Sequence, residues 1–145
     1  MDFLSAIDIS SSALNAERIR MNTISSNIAN ANVTETPEGG PYRRKDVVLQ
    51  SVPQKESFGD ILEDMMDEPL QRVEVSEIKS DQGAPRLVYN PNHPDANTEG
   101  YVAMPNVNPV EEMVNMLNAS RSFEANVTAL DTSKAMAMKA IELGD

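Results

Sequence analysis

The sequence predicts a mainly α chain with a small β insert, its long N- and C-terminal helices paired as a coiled-coil-like hairpin around a β-rich central segment. Two observations carry this. Apolar residues recur at spacings of three, four or seven at both ends, the period of a helix face, whereas the middle changes to short alternating runs broken by Pro, Gly and Asn. A third concerns size: with 145 residues, no Trp, three Phe and three Tyr, the chain has material for one thin core.

The first helix is predicted over residues 3–31. Phe3, Ile7, Leu14, Met21, Ile24, Ile28 and Ala31 form its apolar stripe, and Ile7, Leu14, Met21 and Ile28 are a strict heptad series. Opposite them the segment is loaded with Ser, Thr and Asn. Twelve such residues fall in the first thirty-two. At roughly 0.5 kcal/mol each against Ala they weaken the helix by about 6 kcal/mol, so the segment needs partners. Asn27, Asn30 and Asn32 end it as packing and capping residues, before Pro37, Gly39, Gly40 and Pro41 break the pattern.

Residues 36–108 form the insert. The stretches "PYRRKDVVLQSVP", "PLQRVEVSEIKSD" and "APRLVY" contain strand candidates, with Val73 and Val75 alternating with charge. "SFGDILEDMMDEP" reads as a helical turn or a hinge. The twenty residues from Asn90 to Pro109 hold four prolines and five asparagines, so they form a loop with a short strand at Tyr101–Met104.

The second helix runs from Pro109 to the end. Val110, Met113, Leu117, Ser120, Phe123, Val127, Leu130, Lys134, Ala137 and Ile141 follow one another by threes and fours. Asn108 suits the N-cap, Pro109 the first turn, Glu111 and Glu112 the dipole at that end, and Gly144 the exit. The chain thus divides into 1–35, 36–108 and 109–145. Helices of some 29 and 35 residues at ~1.5 Å per residue outrun the ~38 Å diameter of a compact chain of this size, which favours an elongated hairpin.

Charge and chemistry narrow the function. The net charge is −11, divided −2, −6 and −3 over the three segments, so no part is basic enough to track phosphates. Without cysteine there is neither a disulfide framework nor a thiolate metal site. Asp2 and Asp8 stand where a secretory signal carries basic residues, and no 18-residue apolar run spans a membrane. His93 reads as a loop residue. The acidic run of Asp60, Glu63, Asp64, Asp67 and Glu68 lacks the spacing of a calcium loop and reads as a solvated face. Arg43, Arg44 and Lys45 read as a solvated basic turn. No nucleophile, acid–base pair or phosphate loop is present, so the expectation is a protein that is not an enzyme and uses no cofactor or metal.

Two blocks carry a resemblance. "NTISSNIANANVTETPEGGPYRRKDVVL" resembles the N-terminal signature of the bacterial flagellar rod and hook axial family, and "NPNHPDANTEGYVAMPNVNPVEEMVNMLNASRSFEANVTAL" is similar to its proximal-rod branch. The resemblance covers nearly everything but residues 53–85. It implies a structural subunit that leaves the cytoplasm through the flagellar type III export apparatus and assembles helically in the periplasm. Its terminal helices would form the tube and its insert would face outward. Implied partners are further copies, other rod proteins of the B, F and G types, the rod-to-membrane-ring adaptor and the export apparatus, with no nucleic acid and no membrane insertion. The helix-seam or subunit-interface residues would be Phe3, Ile7, Leu14, Met21, Ile24, Ile28, Val110, Met113, Leu117, Phe123, Val127, Leu130 and Ile141. Arg121, Glu124 and Asn126 would make polar contacts between subunits. The alternatives are a rod subunit of the B type and a partly disordered, helix-binding adaptor of the export system.

Overall fold

The computed structural model describes residues 3–53 and 70–143, with only the backbone of Phe3 and Leu4. The turn or hinge predicted at 57–69, the acidic run within it and Gly144 lie outside the described residues. In chain order the elements are α1 (Phe3–Ala29), β1 (Lys45–Pro53), β2 (Gln71–Ser80), β3 (Arg86–Tyr89), β4 (Tyr101–Met104) and α2 (Pro109–Glu142). Two long terminal helices flank a small β segment, the mainly α class that the periodicity predicts.

Two serines of helix α1 bond the helix's own backbone. The Ser10 hydroxyl donates to the Ala6 carbonyl at 2.9 Å and the Ser12 hydroxyl to the Ile9 carbonyl at 2.8 Å. Asp8, Ser11, Asn15, Arg18, Asn22, Ser25 and Ala29, spaced by threes and fours, make its exposed face. It ends two residues earlier than the apolar stripe predicts, because Asn30 to Asn32 form a turn: the Ala31 N–H bonds the Ile28 carbonyl and the Val33 N–H the Asn30 carbonyl. Helix α2 starts on its predicted cap. The Asn108 side-chain oxygen accepts the Val110 N–H at 3.2 Å, and its carbonyl takes the Glu112 N–H at 3.0 Å. Glu111 and Glu112 lie in the first turn and Lys139 in the last, each sign matched to its end of the dipole.

The described residues fall into two compact units. One takes residues 3–19, 48–53, 70–77 and 120–143. There the Val73 N–H on β2 donates to the Ser12 hydroxyl on α1 at 3.2 Å, Ser51 bonds Gln71, and Ala16 is the fully buried apolar residue among those described. The other takes residues 20–47 and 78–119. Its core is Ile24, Ala31, Val47, Val102, Val107 and Ala119, all small or aliphatic, as a chain poor in aromatics must build it. Strands β1 and β2 are neighbours in one two-stranded sheet. Strands β3 and β4 are antiparallel, with Arg86, Leu87, Val88 and Tyr89 opposite Met104, Ala103, Val102 and Tyr101. Between them Asn97 organises the loop. Its side-chain oxygen accepts the N–H groups of Glu99 and Tyr101, and its own N–H bonds the Tyr101 carbonyl. Gly100, at φ +82°, makes the turn back into β4.

Candidate functional site

In the second unit, the end of α1 and the start of α2 meet on a buried polar cluster. Asn27 has no exposed surface. Its side-chain oxygen accepts the Lys45 N–H at 2.9 Å and the Tyr42 hydroxyl at 3.0 Å, while its amide donates to the Lys45 carbonyl at 2.8 Å and to Glu112 Oε2 at 2.9 Å. Both acceptor positions and both donor hydrogens of the amide are therefore used. Glu112, 1% exposed, gives its second oxygen to Arg44 Nε at 2.8 Å. Arg44 also reaches Asp46 at 3.4 Å. Burial works against the Arg44 charge, but the hydrogen bond and charge of Glu112, helped by Asp46, outweigh it and raise the guanidinium above its ordinary value. The Arg44 carbonyl in turn accepts the Asp81 N–H at 2.7 Å, tying the insert to the same point.

The chain between Asn30 and Arg44 is shaped to deliver these groups. The Tyr42 N–H bonds the Val33 carbonyl at 3.1 Å, closing a loop whose tip is Thr36 to Gly40. Gly39 and Gly40, at φ +89° and +76°, take backbone angles that side-chain-bearing residues rarely adopt. Thr34 donates to Asp95 at 2.6 Å. Asn30 donates to the Ser26 carbonyl at 2.8 Å in the last turn of α1, and Asn32 is exposed. The asparagines thus divide the work: one is a buried hub, one bonds a helix-end carbonyl and one faces solvent.

The basic turn is corrected by this geometry. Arg44 is the partner of a buried carboxylate rather than a solvated charge, and Arg43 bonds the Gln82 side chain at 3.0 Å. From the sequence Glu112 reads only as a first-turn residue. Its partner lies 68 positions away, and no local pattern encodes that distance.

Helix α2 has two faces of different fate. Glu112, Met116, Ala119, Phe123, Leu130 and Ala137 turn inward, fully or half buried. On the opposite side of its first two turns, Val110, Met113, Val114 and Leu117 are 65, 54, 53 and 52% exposed. The predicted stripe crosses from one face to the other. Its steps from Val110 to Ile141 average about 3.4 residues against the 3.6 of a helix, so it drifts by roughly 140° along α2. Hence Val110, Met113 and Leu117 are exposed, whereas Phe123 and Leu130 are half buried; Val127, between the two faces, is 36% exposed, and Ile141, about five turns beyond Phe123 on the inward side, is exposed near the end of the helix. On α1, Ile24 is buried, Ile7, Leu14, Met21 and Ile28 are half buried, and the Phe3 side chain lies outside the described residues. Arg121 and Glu124 are exposed on the same side of α2 as the apolar patch, and Asn126 bonds the Ser122 carbonyl at 3.0 Å. Val114 belongs to the exposed patch and was not part of the predicted stripe. His93 sits in its loop, with Nδ1 accepting the Asp95 N–H at 3.2 Å.

Comparison with known proteins gives the family to which the chain belongs. Residues 7–35 match the family model described as flagella basal body rod protein, and residues 98–143 match that of the flagellar basal body rod FlgEFG protein C-terminal region. The chain is 47% identical to the flagellar basal-body rod protein FlgC of Bacillus subtilis, with 96% of each chain covered. It is 40% identical to that of Borreliella burgdorferi, over 99% of this chain and 98% of the relative. With that of Escherichia coli it shares 42% over 99% of both. The chain belongs to the flagellar basal-body rod protein FlgC family. As a FlgC-type protein it is a structural subunit of the basal-body rod and not an enzyme. The first family match ends at Glu35 and so contains the Asn27 hub, and the second contains Glu112. No described helix is long and apolar enough to cross a membrane.

Proposed function

We propose that this FlgC-type chain is a subunit of the proximal rod, placed in the periplasm by the flagellar export apparatus and packed helically against further copies and rod proteins of the B, F and G types. In that arrangement residues 1–35 and 109–145 form the tube-building helical domain and the insert lies outside it. The rod then acts as a hollow drive shaft, with the rod-to-membrane-ring adaptor holding its base. The observation that carries this reading is the pair of opposed faces on α2: one packs within the chain, while the other leaves Val110, Met113, Val114 and Leu117 half exposed or more. A helix that is apolar on two sides has an unfilled side until a neighbour arrives.

The test places one charge on that outer face. Leu117→Asp meets solvent in the monomer, so synthesis, secretion and circular dichroism stay as in the native chain. Buried unpaired against a neighbour, the same carboxylate costs several kcal/mol, and incorporation into basal bodies and swimming are lost. Swimming at the native rate would overturn the reading. A finite one-to-one complex with an export component, with no chain in isolated rods, would favour the adaptor alternative.

A further inference from the structure

The β3–β4 hairpin of the second unit carries an outer face that the fold does not use. Side chains alternate across a strand, so the antiparallel register puts Leu87, Ala103, Tyr89 and Tyr101 on one face and Arg86, Val88, Val102 and Met104 on the other. The second face is the inner one, since Val102 is 2% exposed. On the first, Leu87 and Tyr89 are each 64% exposed and Tyr101 40%. The two tyrosine rings meet edge to face, with centroids 5.3 Å apart and planes at 66°, and Gly100 sits beneath them: a Cβ there would lie 2.9 Å from Tyr89 Cε2. This is a preformed aromatic pair left largely in solvent.

We propose that the Leu87–Tyr89–Tyr101 face docks on the outer patch of α2, Val110–Met113–Val114–Leu117, of a second copy of this chain. The inference rests on the rod reading above and names one of its contacts. Two observations choose the occupant. From their exposures the two patches are matched, each offering on the order of 400 Å² of apolar surface. Joined, they supply close to the ~900 Å² of apolar area that a standard ~1,600 Å² interface contains. The patches are also different from one another, which a rod requires. A patch that pairs with itself closes a two-fold dimer, whereas unlike patches on one subunit repeat head to tail into a helix.

The chain has no cysteine, so thiol cross-linking reports one contact at a time. Leu87→Cys and Leu117→Cys copies are made together in cells lacking the native chain, and isolated basal bodies are treated with a short bismaleimide. A dimer of this chain at least about fivefold above that from either variant alone is the expected result. No such dimer in basal bodies that contain the chain, equal linking of Leu117→Cys to itself, or linking of Leu87→Cys to a different rod protein would each overturn the proposal while leaving the rod reading intact. Absence of the unsubstituted chain from basal bodies would instead overturn the rod reading and this contact with it.

Discussion

Asn27 concentrates more of this protein's stability than its size suggests. Its four hydrogen bonds join the last turns of α1, the Tyr42–Lys45 segment and the first turn of α2. Asn27→Ala strands the Lys45 N–H and carbonyl and one oxygen of a 1%-exposed carboxylate. Leaving buried groups unpaired costs about 1–3 kcal/mol each before relaxation, so a loss of about 3 kcal/mol in urea unfolding is expected. Glu112→Gln keeps the shape but removes the charge that faces Arg44, with an expected loss of about 2 kcal/mol in the same assay. Arg44 sets no alkaline limit. A cation whose folded pKa is raised lends stability that is whole below its unfolded value, which for a guanidinium is already strongly alkaline, and is lost only above the folded one.

At the scale of elements, two glycines with similar backbones separate strain from space. Gly40 and Gly100 have φ of +76° and +82°, but a Cβ at Gly40 meets nothing within 4 Å, whereas at Gly100 it meets Tyr89. Gly40→Ala should therefore cost only the left-handed backbone term, about 1 kcal/mol. Gly100→Ala should cost at least about 1 kcal/mol more and change the near-ultraviolet circular dichroism of the tyrosines, since the ring must move. Equal losses for the two variants would show that the Tyr89 contact is slack. On α2, Phe123 is half buried, so Phe123→Ala should lower the stability of the isolated chain by about 2 kcal/mol, below the range for a fully buried Phe.

For the whole molecule the dominant quantity is a net charge of −11 on every copy. Copies that stack in a rod repel one another, and salt shortens the reach of that repulsion from about 30 Å at 0.01 M to about 8 Å at 0.15 M. Association of the purified chain, followed by light scattering, should therefore strengthen over that range. Association that weakens steadily with salt would show that attraction between charges, not apolar contact, drives the packing.

The order of the elements was legible because it depends on spacing along the chain. Period-three-and-four runs marked both helices, Asn108 marked the start of the second, and the Pro- and Asn-rich stretch marked the loop before β4. Family membership was legible too, since it resides in the residues themselves. Tertiary structure decided what depends on distance in space. It made Arg44 and Glu112, 68 positions apart, one buried pair, and it made Asn27 the hub between them and the Tyr42 loop. It also divided one apolar stripe of α2 between an inner and an outer face, because steps shorter than a helical turn rotate about the axis and only the packed partner shows where the rotation crosses from core to surface.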